Sequence, residues 1–260
     1  MRAEFSILNY THKTDADLVK TVQKLGGHRM RVSSHGFEIF GEVRIIEAAR
    51  KQAATFAGNF GKDNAAIMLM SVVLAANRNF NKQVQPHVQK LHDRHPNLTF
   101  RELSNILSVM DYRQFKDVWG HKDKKKYETL TSIVQSVLML DSGAINDYGI
   151  MRNWAANAKL NERKKDPIGR LRYVGIATFQ HLRMVFGVDT VKPDQRVKEV
   201  LLREFGAKLS DEKAILAVEE IAHATGFRVA EIDQIFVKYG SGYYLGTERS
   251  PPNISACGLI

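Results

Sequence analysis

Apolar residues recur along most of this 260-residue chain at the three- and four-residue spacing of helices that bury one face. From Val43 onward, Ile46, Ala49, Ala53 and Phe56 hold core spacing and predict a helix ending near Gly58 or Gly61. Residues 1–60 otherwise read as the least helical part of the chain. There Arg29–Val32 and Phe37–Phe40 are β-prone pieces around Ser33-Ser34-His35-Gly36, which predicts a small hairpin. The segment AAIMLMSVVLAA, from Ala65, is apolar on nearly every face and predicts a buried central helix capped by Asp63 or Asn64. A polar run, Asn77 to Asn81, interrupts it. Val84, Val88 and Leu91 then mark one face of a helix that His95-Pro96-Asn97 breaks. Thr99-Phe100-Arg101-Glu102 is a capping box opening a helix with Leu103, Ile106, Leu107 and Met110 inside.

The block His121 to Lys126 reads as a charged loop, a solvated face or a contact for nucleic acid. Beyond it, Leu130, Ile133, Val134, Val137 and Leu138 make an amphipathic helix stopped near Gly143, and Ile150, Met151 and Trp154 suggest another. Near the C-terminus, Ser210 caps a helix with Ala214, Val218, Ile221 and Ala222 inside, ended by Gly226. Val229, Ile232, Ile235 and Phe236 mark the last helix, before the Gly- and Tyr-rich tail Tyr239 to Gly246. The fold class is mainly α, with room for one small N-terminal β-hairpin and no internal repeat or low-complexity linker.

Between these blocks, Asp166 to Phe205 has the richest local chemistry. It reads as two short helices, a linker and a third helix. Asp166 can cap with Pro167 at the first helical position. Gly175 is the pivot of a short turn, and Gly187 follows the last apolar position as a stop. Asp194 opens the next helix, whose inward face is Val197, Val200, Leu201 and Phe205. A hairpin of short helices presents turn and helix N-terminal N–H groups to one point, a geometry suited to phosphate. Arg163, Lys164, Lys165, Arg170 and Arg172 precede the turn and Arg183 follows it.

Lys and Arg outnumber Asp and Glu 38 to 28, a formal charge of +10, which favours a polyanionic partner. The one cysteine, Cys257, excludes an internal disulfide and an all-Cys zinc or iron–sulfur site made by this chain alone. No signal core is evident, and the longest apolar run, Ala65 to Ala76, is too short to span a bilayer. The expectation is a protein of a reducing compartment, cytoplasmic (nucleoid-associated) or nuclear and not secreted. His87, His92 and His95 are near one another in sequence but lack metal-site spacing. Neither a phosphate-binding Gly loop nor a Gly-x-Ser-x-Gly elbow occurs.

The run from Leu171 to Asp194 resembles the helix-hairpin-helix DNA glycosylase superfamily. Its signature is a Leu-Pro-Gly-Val-Gly hairpin, a helix ending in an apolar residue plus Gly, and a catalytic Asp beginning the following helix. Leu171, Val174 and Gly175 match the hairpin, Phe186-Gly187 match the helix end, and Asp194 falls seven residues after that Gly. Arg172 and Tyr173 stand where the family has Pro and Gly. Bifunctional members carry a Schiff-base Lys just after the hairpin, where the two plausible registers here put Ile176 or Ala177. The four-cysteine cluster of several branches is missing. The polar turn after the buried helix, which in the family fills the gap left by an extruded nucleotide, corresponds to Asn77, Arg78 and Asn79.

The resemblance implies a two-lobed helical fold: a central lobe over residues 62–187, and a second lobe made of 1–61 and 188–260 with Asp194 at the mouth between them. It implies a monomeric, monofunctional DNA N-glycosylase of base-excision repair, acting on double-stranded DNA without cofactor, metal or membrane. Asp194 would be catalytic, and DNA would be held by Lys164, Arg170, Arg172, Val174, Gly175, Ala177, Asn77, Arg78 and Asn79. Phe37, Phe40, Trp154, Tyr243 and Tyr244 are candidates to line a base pocket. Two other readings remain: a catalytically silent DNA-binding module with the same hairpin, and a glycosylase fold acting on RNA or a modified nucleoside.

Overall fold

The computed structural model describes residues 5–32, 41–58, 64–76, 78, 84–140, 143–144 and 146–242. Among them the chain is mainly helical. In chain order come α1 (Ile7–Thr11), α2 (Asp15–Gly27), strands β1 (Arg29–Val32) and β2 (Gly41–Arg44), α3 (Ile45–Gly58), α4 (Ala65–Ala75) and α5 (Gln85–Arg94). Then follow α6 (Phe100–Val109), α7 (Lys116–Trp119), α8 (Lys124–Leu138), α9 (Asp147–Asn157), α10 (Ile176–Val185), α11 (Gln195–Phe205), α12 (Asp211–Thr225) and α13 (Val229–Gly240). The chain divides into two compact units, Met1–Ala57 with Asp189–Ile260, and Gly58–Val188.

In the first unit, α2 forms where the sequence pattern suggests little helix. Thr14 and Asp17 make a reciprocal capping box, which satisfies two otherwise orphaned N-terminal groups. Leu18, Val22 and Leu25, at helical spacing, are fully buried, and α2 packs on α12 and α13. The hairpin is real but shifted. Met30 pairs with Val43 and Val32 with Gly41, in antiparallel register. Val43 therefore belongs to β2, and the helix expected from it begins at Ile45; Phe37–Phe40, read as the second strand, lie outside the described residues. The inner face of α11, Val197, Val200, Leu201 and Phe205, is buried, and Phe205 packs on Phe236 of α13 with ring centroids 5.5 Å apart. The carboxylate of Asp189 accepts hydrogen bonds from Val229 N and Ala230 N, so the first turn of α13 is capped from forty residues upstream.

The second unit is built on α4, all eleven residues of which are buried. Such a helix gains from every face, each fully buried Leu, Ile, Val or Met side chain contributing roughly 1.5–3 kcal/mol. Its start is capped by Asn64, whose Oδ1 accepts from Ile67 N at 3.2 Å while its Nδ2 donates to His95 O and Pro96 O, holding the break after α5. The end of α4 is closed by Lys126. Its ammonium donates to the carbonyls of Val73 (2.9 Å), Leu74 (3.1 Å) and Ala76 (2.6 Å). A helix C-terminus leaves carbonyls without partners and carries the negative end of the helix dipole, so a buried ammonium there is stabilised by three bonds and by the field. The charged block thus departs from the loop reading: Asp123 caps α8, Lys124–Lys126 are its first turn, and Lys126 is buried. No helix among the described residues is long and apolar enough to cross a membrane.

Candidate nucleic-acid interface and the Asp194 carboxylate

In place of the expected first hairpin helix stands a chain of turns. After a single 3-10 turn at Leu160–Glu162, Asp166 Oδ1 accepts from Ile168 N (2.8 Å) and Gly169 N (2.7 Å). The Arg163 guanidinium donates to Gly169 O (2.8 Å) and Val174 O (2.9 Å), clamping the loop from inside. A side chain at Gly169 would bring its Cβ to 2.6 Å from Arg163 O, so the loop closes only with glycine there. These local bonds outcompete a regular helix.

At the turn itself, Tyr173 has φ 68°. That is the left-handed region, which costs a non-glycine residue roughly 1–2 kcal/mol. The backbone therefore takes the conformation for which glycine is the usual residue, although tyrosine occupies it. Gly175 then caps α10 without a side chain, leaving the first-turn amides of Ile176 and Ala177 for an outside acceptor. Val174 does not join them: it is buried, its N–H donates to Leu171 O at 3.1 Å and its carbonyl is held by Arg163.

The basic residues around the turn separate into two groups. Arg163 and Arg183 are engaged inward, Arg183 donating to Gln180 Oε1 at 2.7 Å. Lys164, Lys165, Arg170 and Arg172 are exposed, and among the described residues none of the four pairs with a carboxylate. Arg78 is exposed, while Asn77 and Asn79 lie outside the described residues. Burial, and next the charges of Arg78 and Lys126, hold His121 below the ordinary imidazole range.

Asp194 lies in the first unit and is the N-cap of α11. Its Oδ1 accepts from Arg196 N (3.0 Å) and Val197 N (3.2 Å), which leaves Oδ2 directed elsewhere. Asp194 N donates to Lys192 O at 2.7 Å, closing a γ-turn around Pro193, and Lys192 Nζ stands 4.0 Å from Asp194 Oδ2. The Asp194 side chain is 30% exposed, open enough to meet a ligand.

Behind this turn sits a carboxylate that the sequence reading missed. Asp233 of α13 is 2% exposed; it accepts from Lys192 N at 3.0 Å and from Gln234 Nε2 at 2.9 Å. Burial, followed by the negative charge of Asp194, pushes its carboxyl up to about 7, against the opposing pull of the Lys192 amide and ammonium. An acidic residue on the same helical face as Ile232 and Phe236 was the available signal. The site is thus a partly exposed carboxylate fixed by a helix amide pair, a nearby ammonium, and a buried acid that holds the intervening turn.

Of the aromatic candidates for a base pocket, Trp154 is a core residue. Its Nε1 donates to both oxygens of Asp166 and its ring meets Phe179 edge-on. Phe37, Phe40, Tyr243 and Tyr244 lie outside the described residues, as does Cys257. Among the described residues no three His, Cys, Asp or Glu side chains gather as a metal ion requires. Comparison with protein-family models, curated proteins and solved structures finds no match for this chain.

Proposed function

We propose that the protein is a helix-hairpin-helix DNA glycosylase that excises a damaged or mispaired base and stops at the abasic site. The observation that carries this reading is the turn at Tyr173: a glycine-type backbone, then an uncapped helix start, with exposed Lys164, Arg170 and Arg172 in the loop that precedes it. Such a surface binds a phosphodiester by amide donors and by charge. The net charge of +10 points the same way. In this reading the two compact units are the lobes of the glycosylase fold, the chain works as a monomer on double-stranded DNA in the cytoplasm or nucleus, and no cofactor takes part.

Asp194 supplies the chemistry. A base inside a duplex must be flipped out, at a cost of a few kcal/mol, least for damaged or mispaired bases. Rupture of its N-glycosidic bond leaves positive charge on the sugar. The Asp194 carboxylate, held in place by two helix amides, stabilises that charge and orients water toward C1′. Ile176 and Ala177, after the turn, offer no amine for an imine, so the reaction ends with base release.

A silent DNA-binding module is the second reading, favoured by one observation: Asp194 Oδ1 is already engaged in capping. Incubation with duplexes carrying alkylated, oxidised, deaminated or mismatched bases separates the two. The glycosylase releases free base and leaves alkali-labile sites on at least one duplex. The silent module binds the same duplexes and releases nothing.

A further inference from the structure

Tyr173 keeps a strained conformation that glycine would relieve, and its ring is not used to fill the core: the residue is 40% exposed. Strain held at an exposed aromatic residue points to a use for the ring. The ring borders an open cavity of about 300 Å³ in the second unit, lined also by Arg78, Asp123, Lys125 and Thr178. Arg172 lies over the ring at 4.7 Å and Lys125 Nζ at 6.0 Å. The second distance is at the outer limit of a cation–π contact, so an incoming group displaces Lys125 readily.

The charge of the cavity is one-sided. Among the described residues Asp123 is its one carboxylate, and the Oδ1 of that residue is occupied by Lys125 N and Lys126 N. The three carbonyls at the end of α4 are occupied by Lys126. What faces an incoming ligand is an aromatic plane, the Thr178 hydroxyl and the cations of Arg78 and Lys125. That set matches a nucleotide: a π-face for the base and positive charge for the phosphate.

From this geometry we infer that Tyr173 and its cavity form a stacking site for one unpaired nucleotide of single-stranded DNA, beside the hairpin. The inference rests on the reading of the chain as a DNA-binding protein and adds to it a single-strand contact that a duplex grip does not need. The aromatic ring stacks on the base, while Arg78 and Lys125 hold the flanking phosphate.

The test is fluorescence anisotropy with a labelled deoxyribonucleotide tetramer and, separately, an undamaged blunt duplex. It uses the full chain and its Tyr173→Gly and Tyr173→Phe variants. Glycine suits the left-handed backbone, so Tyr173→Gly keeps the turn and its melting temperature stays at or above that of the parent. Loss of one stacked base weakens tetramer binding by about tenfold in Tyr173→Gly, a larger loss than on the duplex; Tyr173→Phe stays within about twofold on the tetramer. Equal tetramer affinity in Tyr173→Gly and the parent overturns the inference, as does a parallel loss of tetramer and duplex binding. A parent that binds duplex but not tetramer overturns the stacking site alone, and one that binds neither overturns the DNA-binding reading with it.

Discussion

Asp233→Asn probes the arrangement behind Asp194 without touching its exposed oxygen. The parent carboxyl is pushed from an ordinary 3.8 up to about 7 in the folded protein. Between those values the folded state holds a proton that the unfolded state has released, so the contribution of Asp233 to stability is greatest below pH 4 and falls as pH rises toward 7. A gap of about three units at roughly 1.4 kcal/mol each makes the full loss about 4 kcal/mol. Asparagine imitates the protonated acid: its oxygen accepts from Lys192 N, and a flipped Gln234 amide meets its NH2. Urea denaturation of parent and variant from pH 4 to pH 8 gives the difference directly, which cancels the titration of other carboxylates. The two proteins should be equally stable near pH 4, and the variant should gain steadily to an advantage of about 4 kcal/mol near pH 8. Adding Asp194→Asn removes the neighbouring charge that helps to raise Asp233, so the gap should narrow. A difference independent of pH would refute the burial argument.

Lys126→Met leaves three carbonyls at the end of α4 without their donor. It should lower stability by roughly 2–4 kcal/mol and the melting temperature by about 5–10 °C, while Lys124→Met stays near neutral; equal melting of the two variants would remove the capping role. The triple variant of Lys164, Arg170 and Arg172 to Ala should weaken binding to all duplexes alike and flatten the salt dependence, since phosphate contacts release counterions. An unchanged slope would take the hairpin off the interface. Borohydride with an abasic or lesion duplex should trap no adduct, because Ile176 and Ala177 offer no amine after the turn and the Lys192 ammonium stands 4.0 Å from the Asp194 carboxylate. A trapped adduct that disappears in Lys192→Ala would show imine chemistry instead.

Buried apolar faces were legible because spacing alone defines them: Leu130, Ile133, Val134 and Val137 of α8 and the four inner residues of α11 are all buried. Caps made from adjacent residues, such as Thr99 with Glu102 and the Asp194 start of α11, were legible for the same reason. Lys126 and Asp233 were not. Each sits on an apolar helical face, yet a charged residue reads as solvated until its partners are known, and those of Lys126 lie fifty or more positions away. The first hairpin helix failed because Arg163 and Asp166 satisfy the backbone locally. The γ-turn at Pro193 was hidden because a proline fixes φ but not ψ. At Tyr173 the residue type concealed a left-handed backbone that glycine more often adopts.

In the proposed reaction the Asp194 carboxylate assists rupture of a glycosidic bond in DNA bound through Lys164, Arg170 and Arg172. Asp194→Asn keeps the shape and the capping oxygen and removes only the charge that the transition state needs. On whichever lesion duplex the parent acts, single-turnover measurement of free base beside duplex affinity tests this directly. Base release should fall by at least about a thousandfold with affinity within a few-fold. Base release at the parent's rate by the variant would show that the Asp194 carboxylate is not catalytic.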